Sequence, residues 1–279
     1  MPAYTRSPHS PRSPSTTAPR TSRIPLLHTT FFLLCLLIAG LSQWPAAWLG
    51  TLLEHGANGA PSWQLTATQG SVWQGQGMLL LKDPVSNEWQ NFQQLRWQVQ
   101  GRPLWSGHLV IDLTLEQGQL HLDLSPAGLD LTSFDVTLPA RGVASLLPGP
   151  PGRYGWNGLL QATGTRFGCR WNQNDCHGSA ELRWSDAAVT EINSQPLGNY
   201  RMLLTGEGPA LRLDLTTLDG RLTLTGHGES RHDGQLDFRI EADTRNSPDE
   251  SLNRMLASLG RALGEGKYLL EYRSPGRRK

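Results

Sequence analysis

The residues best suited to chemistry in this 279-residue chain are two cysteines, Cys169 and Cys176, with His177 beside the second. In the run Gly168-Cys-Arg-Trp-Asn-Gln-Asn-Asp-Cys-His-Gly the two thiols are close enough to oxidise to a disulfide closing an eight-residue loop. Loop-closure entropy alone makes such a bridge worth about 2.5 kcal/mol, less any strain. A metal site on both thiols and His177 is the alternative, but this spacing matches no standard zinc pattern. The third cysteine, Cys35, lies in an apolar run, where a thiol acts as a small hydrophobic side chain.

Other constellations are weaker. His227, Glu229 and His232 could supply metal ligands, yet they lack the spacing of two histidines one helical turn apart and fall where a turn is expected. The chain has neither a Gly-rich loop ending in Lys-Ser/Thr nor a G-x-S-x-G elbow. Gly206-Glu-Gly and Gly226-His-Gly read as hairpin glycines, because no helix follows to complete a dinucleotide fingerprint. The sequence therefore supports no catalytic residue, no metal and no cofactor. More informative are Trp73, Trp97, Trp105, Trp156 and Trp184, each in or beside a strand run and often next to glycine. Rings over glycines are expected to pack across a curved sheet with bulges at the glycines. The sharper alternative is an apolar groove or interaction face lined by the rings.

Strands must position these residues. Leu109, Ile111, Leu113 and Leu115 alternate with polar or smaller residues. So do Leu120, Leu122 and Leu124; Phe134, Val136 and Leu138; Leu211, Leu213 and Leu215; Leu222 and Leu224; and Leu236, Phe238 and Ile240. Period-two alternation sends one face to a core and the other to water, as in antiparallel sheet. Turn signals separate the runs: Glu116-Gln-Gly, Ser125-Pro-Ala-Gly, Glu207-Gly-Pro, Leu218-Asp-Gly and His232-Asp-Gly. The expected architecture is mainly β, a strongly curved antiparallel meander of about a dozen strands. Pro148-Gly-Pro-Pro-Gly is a break between halves and not a domain boundary, since the alternation resumes beyond it. One amphipathic helix is expected near the C-terminus. Ser247 is its predicted N-cap, Pro248 its first residue and Glu250 completes a capping box. Leu252, Met255, Leu256, Leu259 and Leu263 form its apolar stripe, and Gly264 or Gly266 ends it. Tyr268-Leu-Leu-Glu-Tyr reads as a last strand.

Ahead of the sheet, Ile24 to Leu53 carries no Asp, Glu, Lys or Arg. A spanning helix needs about 20 apolar residues to cross roughly 30 Å of hydrocarbon. Residues 24–49 are therefore read as a single transmembrane anchor, with Trp44 and Trp48 at its far interface. A cleaved signal peptide is disfavoured because no small-x-small site follows the apolar core. Residues 1–23, rich in Pro, Ser and Thr, form an expected disordered tail. That tail holds Arg6, Arg12, Arg20 and Arg23 and no acid, which keeps it in the cytoplasm and sends residues 50–279 across the membrane as a β-rich domain. Beyond the span stand 21 basic against 24 acidic residues, so no basic footprint for nucleic acid is present.

Two segments carry a resemblance: Gln69-Gly-Ser-Val-Trp-Gln-Gly-Gln-Gly and Leu95-Arg-Trp-Gln-Val-Gln-Gly-Arg-Pro-Leu-Trp-Ser-Gly-His-Leu. Together they resemble the Gly, Leu and Trp pattern of protein N of the type II (general) secretion pathway. Leu182-Arg-Trp at the start of a strand, Pro196-Leu-Gly-Asn-Tyr, Asp219-Gly-Arg-Leu-Thr-Leu-Thr-Gly and Leu256-Ala-Ser-Leu-Gly-Arg follow in that family's order. The resemblance implies a non-catalytic accessory subunit of a Gram-negative inner membrane, its sheet in the periplasm, serving export of folded proteins across the outer membrane. Its implied partners are other subunits of that apparatus and the membrane itself. A more distant similarity to envelope proteins of the AsmA type implies a second reading, a phospholipid chain held in a groove between the sheet and the Leu252–Leu263 helix.

Overall fold

The structure is a computed structural model that describes residues 31–32, 45–47, 63–82, 88–144, 155–171, 175–190, 192, 195–230, 235–245 and 249–273. The chain forms two compact units, residues 1–42 and 43–279. The tail 1–23, nearly all of the anchor 24–49, the Pro148 break, the Ser247-Pro248 cap and the His232 turn lie outside the described residues. Among the described residues no helix is long and apolar enough to cross a membrane.

In the larger unit the alternation becomes fourteen antiparallel strands in a single sheet. They are β1 (Trp63–Gly70), β2 (Gln74–Lys82), β3 (Trp89–Gln100), β4 (Leu109–Leu115), β5 (Gly118–Ser125), β6 (Gly128–Pro139), β7 (Trp156–Arg170) and β8 (Asp175–Val189). Then come β9 (Gly198–Gly208), β10 (Leu211–Gly220), β11 (Thr223–Ser230), β12 (Leu236–Asp243), β13 (Arg261–Gly264) and β14 (Lys267–Arg273). Strands lie in chain order except that β14 pairs with β12 and leaves β13 on the edge. A 3-10 turn (Pro103–Ser106) joins β3 to β4, and among the described residues two helices, α1 (Ala140–Ala144) and α2 (Glu250–Leu259), interrupt the meander.

Register keeps the apolar set on one face. Leu95, Leu115 and Gly118 stand in one row with Val136, and Val99, Ile111, Leu122 and Leu131 in another. Because the side-chain period is two, a slip of one residue would turn each leucine to water, so the burial pattern itself holds the register. The sheet is not strongly curled, contrary to the expectation of strong curvature. Register shifts occur, for example between Thr66 and Gln69 and between Thr217 and Asp219, but β3–β4, β4–β5, β10–β11, β11–β12 and β12–β14 run without one, so long parts of the ladder stay regular.

The best-packed core sits under α2. Leu252 and Leu256 enter a cluster with Val189, Leu197, Tyr200, Leu222, Ala242 and Tyr268. Tyr200, buried, donates its hydroxyl to the carbonyl of Leu222 at 2.9 Å. Buried Thr244 ties the end of β12 to α2 and to the β13–β14 turn, with Oγ1 2.8 Å from Asn253 Oδ1 and 3.1 Å from the Gly266 carbonyl. At the opposite end of β6, α1 lies against β2 and β3. A Cβ on Gly142 would fall 2.0 Å from the Phe92 ring, so only glycine admits that approach. Beyond the end of β4, the Gln94 amide donates to the Glu116 carboxylate at 3.1 Å instead of to a strand.

The helix boundaries correct the sequence reading. Asp249 is the N-cap, its carboxylate accepting from the amides of Ser251 at 2.8 Å and Leu252 at 3.3 Å. The helix stops at Leu259, so Leu263 leaves the stripe and stands exposed on β13. A Cβ on Gly260 would meet the Leu269 carbonyl at 2.3 Å, so glycine lets the chain turn directly into β13. Arg221 donates to Asp249 at 3.2 Å, and both side chains are largely buried.

The hydrogen bond from the Leu252 amide, with those from the Ser251 amide and the Arg221 guanidinium, holds the Asp249 carboxyl below its ordinary 3.8. A lowered folded value means the group stabilises the fold above the ordinary value and loses that contribution as pH falls through the lowered one. Asp249→Ala is therefore expected to lower unfolding free energy by about 1–2 kcal/mol at neutral pH. In urea titrations the difference from the wild type should shrink below pH 3.8; a pH-independent difference would exclude the carboxylate as its source.

Candidate functional site

The sheet's two faces differ in kind. On the polar face, aspartates and histidines pair across strands. Asp112 meets His121 directly opposite, Asp214 meets His227 at 2.7 Å, and His108 meets Asp123 at 2.9 Å. Asp130 on β6 reaches His177 on β8 at 3.0 Å, across Gly168 of β7, where a Cβ would strike both side chains. The His121 hydrogen bond, then that of Gln100, lowers the Asp112 carboxyl below its ordinary value. Farther along, Arg212, Glu229, Asp237 and Arg273 form one cross-strand row in which two acids lie between two arginines. These pairs are mutually compensating, and among the described residues no group of three ligating side chains could hold a metal.

His227 and Glu229 lie within β11, not in a turn, and Gly226 and Gly228 are strand residues too. The reason is steric. A Cβ on Gly228 would sit 2.4 Å from the Phe238 ring, which lies over it. Phe134 covers Gly164 and Trp97 covers Gly75 in the same way, each ring directly opposite its glycine. Cross-strand ring-on-glycine packing of this kind hides backbone that would otherwise be open on the apolar face.

The five tryptophans separate into three environments. Trp97 is 6% exposed, packs against Leu65 and Ala46, and donates its indole N–H toward the carbonyls of Ser71 and Val72, both at 3.2 Å. Trp73 is half-buried in the β1–β2 turn, and its carbonyl accepts from Val99. Trp156 and Trp184 meet edge-to-face at 5.2 Å, and Trp184 continues to Tyr200 at 5.8 Å, beside the core under α2. Trp105 departs from the expectation of a ring packed over glycine. It is 93% exposed in the 3-10 turn, because Pro103 and the left-handed Gly107 fold those residues out of the ladder. Leu182 lies in the middle of β8, not at a strand start.

Cys169 and Cys176 form a disulfide between directly opposed residues of β7 and β8 on the apolar face, with Cα atoms 4.1 Å apart. His177, the next residue, points to the other face, so the metal alternative fails on alternation alone. Among the described residues, the space between α2 and the sheet, where the lipid reading places a groove, is filled by Leu252, Met255 and Leu256. On β4 and β5, however, Leu109, Leu120, Leu122 and Leu124 are only half-buried, as are Ile111 and Leu113, which pack against the Trp97 cluster. The Asp–His pairs were missed in the sequence, although Asp112 and His121 stand equidistant from the Glu116-Gln117 turn. That symmetry is the signal that could have found them.

Trp97→Ala is expected to cost about 3–5 kcal/mol in urea unfolding, whereas Trp105→Ala should stay within about 0.5 kcal/mol; similar costs for both would refute these placements. Replacing both Cys169 and Cys176 by serine should lower stability by about 2–2.5 kcal/mol. Non-reducing mass spectrometry should find the wild-type loop two hydrogens lighter than its reduced form, and free thiols at both positions would refute the bridge.

A family model described as type II secretion system (T2SS), protein N, matches residues 61–271. No curated protein and no solved structure matches the chain. The matched region runs from just before β1 into β14, taking in the ring-on-glycine pairs, the disulfide hairpin and α2. The chain therefore belongs to the family of type II secretion system protein N, components of that secretion machine that meet its other components.

Proposed function

We propose that this protein is a non-catalytic assembly subunit of the type II secretion system, anchored in the inner membrane by the part of the 24–49 stretch that precedes Pro45, with its sheet in the periplasm. The observation that carries this reading is an open sheet whose edges are largely unpaired among the described residues. β1 is partnered on its outer side only at its Gly70 end, by Pro45 and Ala46, and β14 has no partner beyond Leu269 on its β13 side. Such edges add a strand from another chain through main-chain hydrogen bonds. The Cys169–Cys176 disulfide supports an oxidising compartment, and the acid-free basic tail supports the orientation. Nothing in the paired Asp–His groups presents a nucleophile beside a free base.

The half-buried leucine face of β4–β6 favours a second reading, a phospholipid chain lying on the sheet. Photocrosslinking of the full chain in its native membrane separates the two. A photoreactive residue at Gln64, on the outer edge strand, is expected to capture another secretion subunit, identified by mass spectrometry. One at Leu122, on the apolar face, would capture phospholipid under the second reading. Lipid adducts at Leu122 with no protein adduct at Gln64 would overturn the assembly role.

A further inference from the structure

The turn that carries Trp105 lies at the same end of the sheet as the point where the chain enters it. Pro45 bridges to Ser71, and the Ala46 amide donates to the Gly70 carbonyl at 3.2 Å, in the β1–β2 turn. Gln74, at the start of β2, stands opposite Gln98 on β3, and the Val99 amide donates to Trp73. Four residues past Val99, at Pro103, the 3-10 turn begins, outside the ladder. Pro45 and Ala46 belong to the uncharged Ile24–Leu53 run, so the chain passes from that run into this end of the sheet.

The turn itself is built firmly and presents an amphipathic tip. The Trp105 amide donates to the Arg102 carbonyl, the Gly107 amide to Leu104 and the His108 amide to Pro103, all at 3.3 Å or less. Ser106 Oγ donates to Pro103 at 2.8 Å, and the His108 ring is tied to Asp123. A held backbone loses little conformational entropy on docking. On that tip Trp105 is 93% and Leu104 37% exposed, and Arg102 is the sole charged residue from Gly101 to Gly107. A large indole with a polar N–H, an aliphatic neighbour and one cation is the composition that settles at the level of lipid headgroups.

We infer that the Pro103–Ser106 turn is a membrane-contact site, with Trp105 and Leu104 entering the headgroup layer of a phospholipid bilayer and Arg102 meeting its anionic groups. The inference rests on the membrane-anchored reading above. It gives the sheet a second point on the membrane besides the anchor, which fixes its orientation. The twelve residues of β3 at about 3.3 Å each then carry the α1 end of the β2–β3 hairpin about 40 Å from that surface.

The test uses the full chain reconstituted into vesicles of phosphatidylethanolamine and phosphatidylglycerol, with and without dibrominated acyl chains that quench nearby indoles. The wild type is expected to show a quenched component that Trp105→Phe lacks, and Arg102→Gln to shrink that component in the vesicles containing phosphatidylglycerol. Equal quenching of wild type and Trp105→Phe, with the protein resisting carbonate extraction, overturns the turn contact alone. Release by carbonate overturns the anchor as well as the contact.

Discussion

The structure depends on one constraint: an apolar sheet face many strands wide must be kept from water with almost no second layer. From β1 to β12 each strand bonds only to the strands next to it in sequence, so among the described residues no distant strand is threaded between them. The side chains must shield one another laterally. Rows of leucine do part of this, and the rings of Trp97, Phe134 and Phe238 do the rest by lying over Gly75, Gly164 and Gly228. A larger residue at any of those glycines would lift its ring and open backbone to solvent. Nearest-neighbour pairing also makes stability close to a sum of local strand–strand terms, as in repeat proteins, and keeps loop-closure costs small.

Such a sheet is weakest where nothing covers it, and the chain secures its two ends differently. At the β8–β14 end, α2 supplies a true second layer, with Leu252 and Leu256 fully buried and Arg221, Asp249 and Thr244 tying helix, strand and turn together. At the β1 end buried Ala46 packs on Trp97 and Leu65. Between them the disulfide locks the β7–β8 hairpin across the apolar face. Among the described residues the middle strands β4 and β5 carry no disulfide. Their polar side carries the Asp112–His121 and His108–Asp123 pairs, which favour the correct strand partners but, being substantially exposed, contribute little energy.

Much of this was legible in the sequence because alternation and turn chemistry are local. Leu109 to Leu115 and Leu120 to Leu124 sit in the strands expected, and Ser125-Pro-Ala-Gly turns where expected. Less legible were the strands whose alternation is broken by glycine or polar residues. In β2 and β11 the gap at Gly75 or Gly228 is filled by a ring from the neighbouring strand, a pairing visible only once register is known. The capping error has a similar cause. Ser247 and Asp249 are both good N-caps, and tertiary contact decides between them, since Arg221 on the β10–β11 turn pairs with the second. Trp105 misled because Trp-Ser-Gly beside a strand looks like packing, while Pro103 and Gly107 had already removed it from the ladder.

The two edges of the sheet are unequal, and this bears on which one can accept a partner. β13 has four residues, all exposed, and ends at Gly264 in a left-handed conformation, a short and interrupted edge of the sort that resists strand addition. β14 extends past it from Leu270 to Arg273, with Glu271 and Arg273 carrying charge along the open stretch, which discourages indiscriminate pairing. β1 is longer, eight residues, and holds no charged residue at all. Its one irregularity is the bulge between Thr66 and Gln69, with Ala67 at positive φ. Such a bulge twists the Gly70 end out of line and leaves Trp63 to Thr66 as the flat, uncharged segment. A partner strand adding there would extend the leucine face by one more row and continue the same meander, so the edge suited to assembly is the one beside the buried Ala46, where the chain enters the sheet.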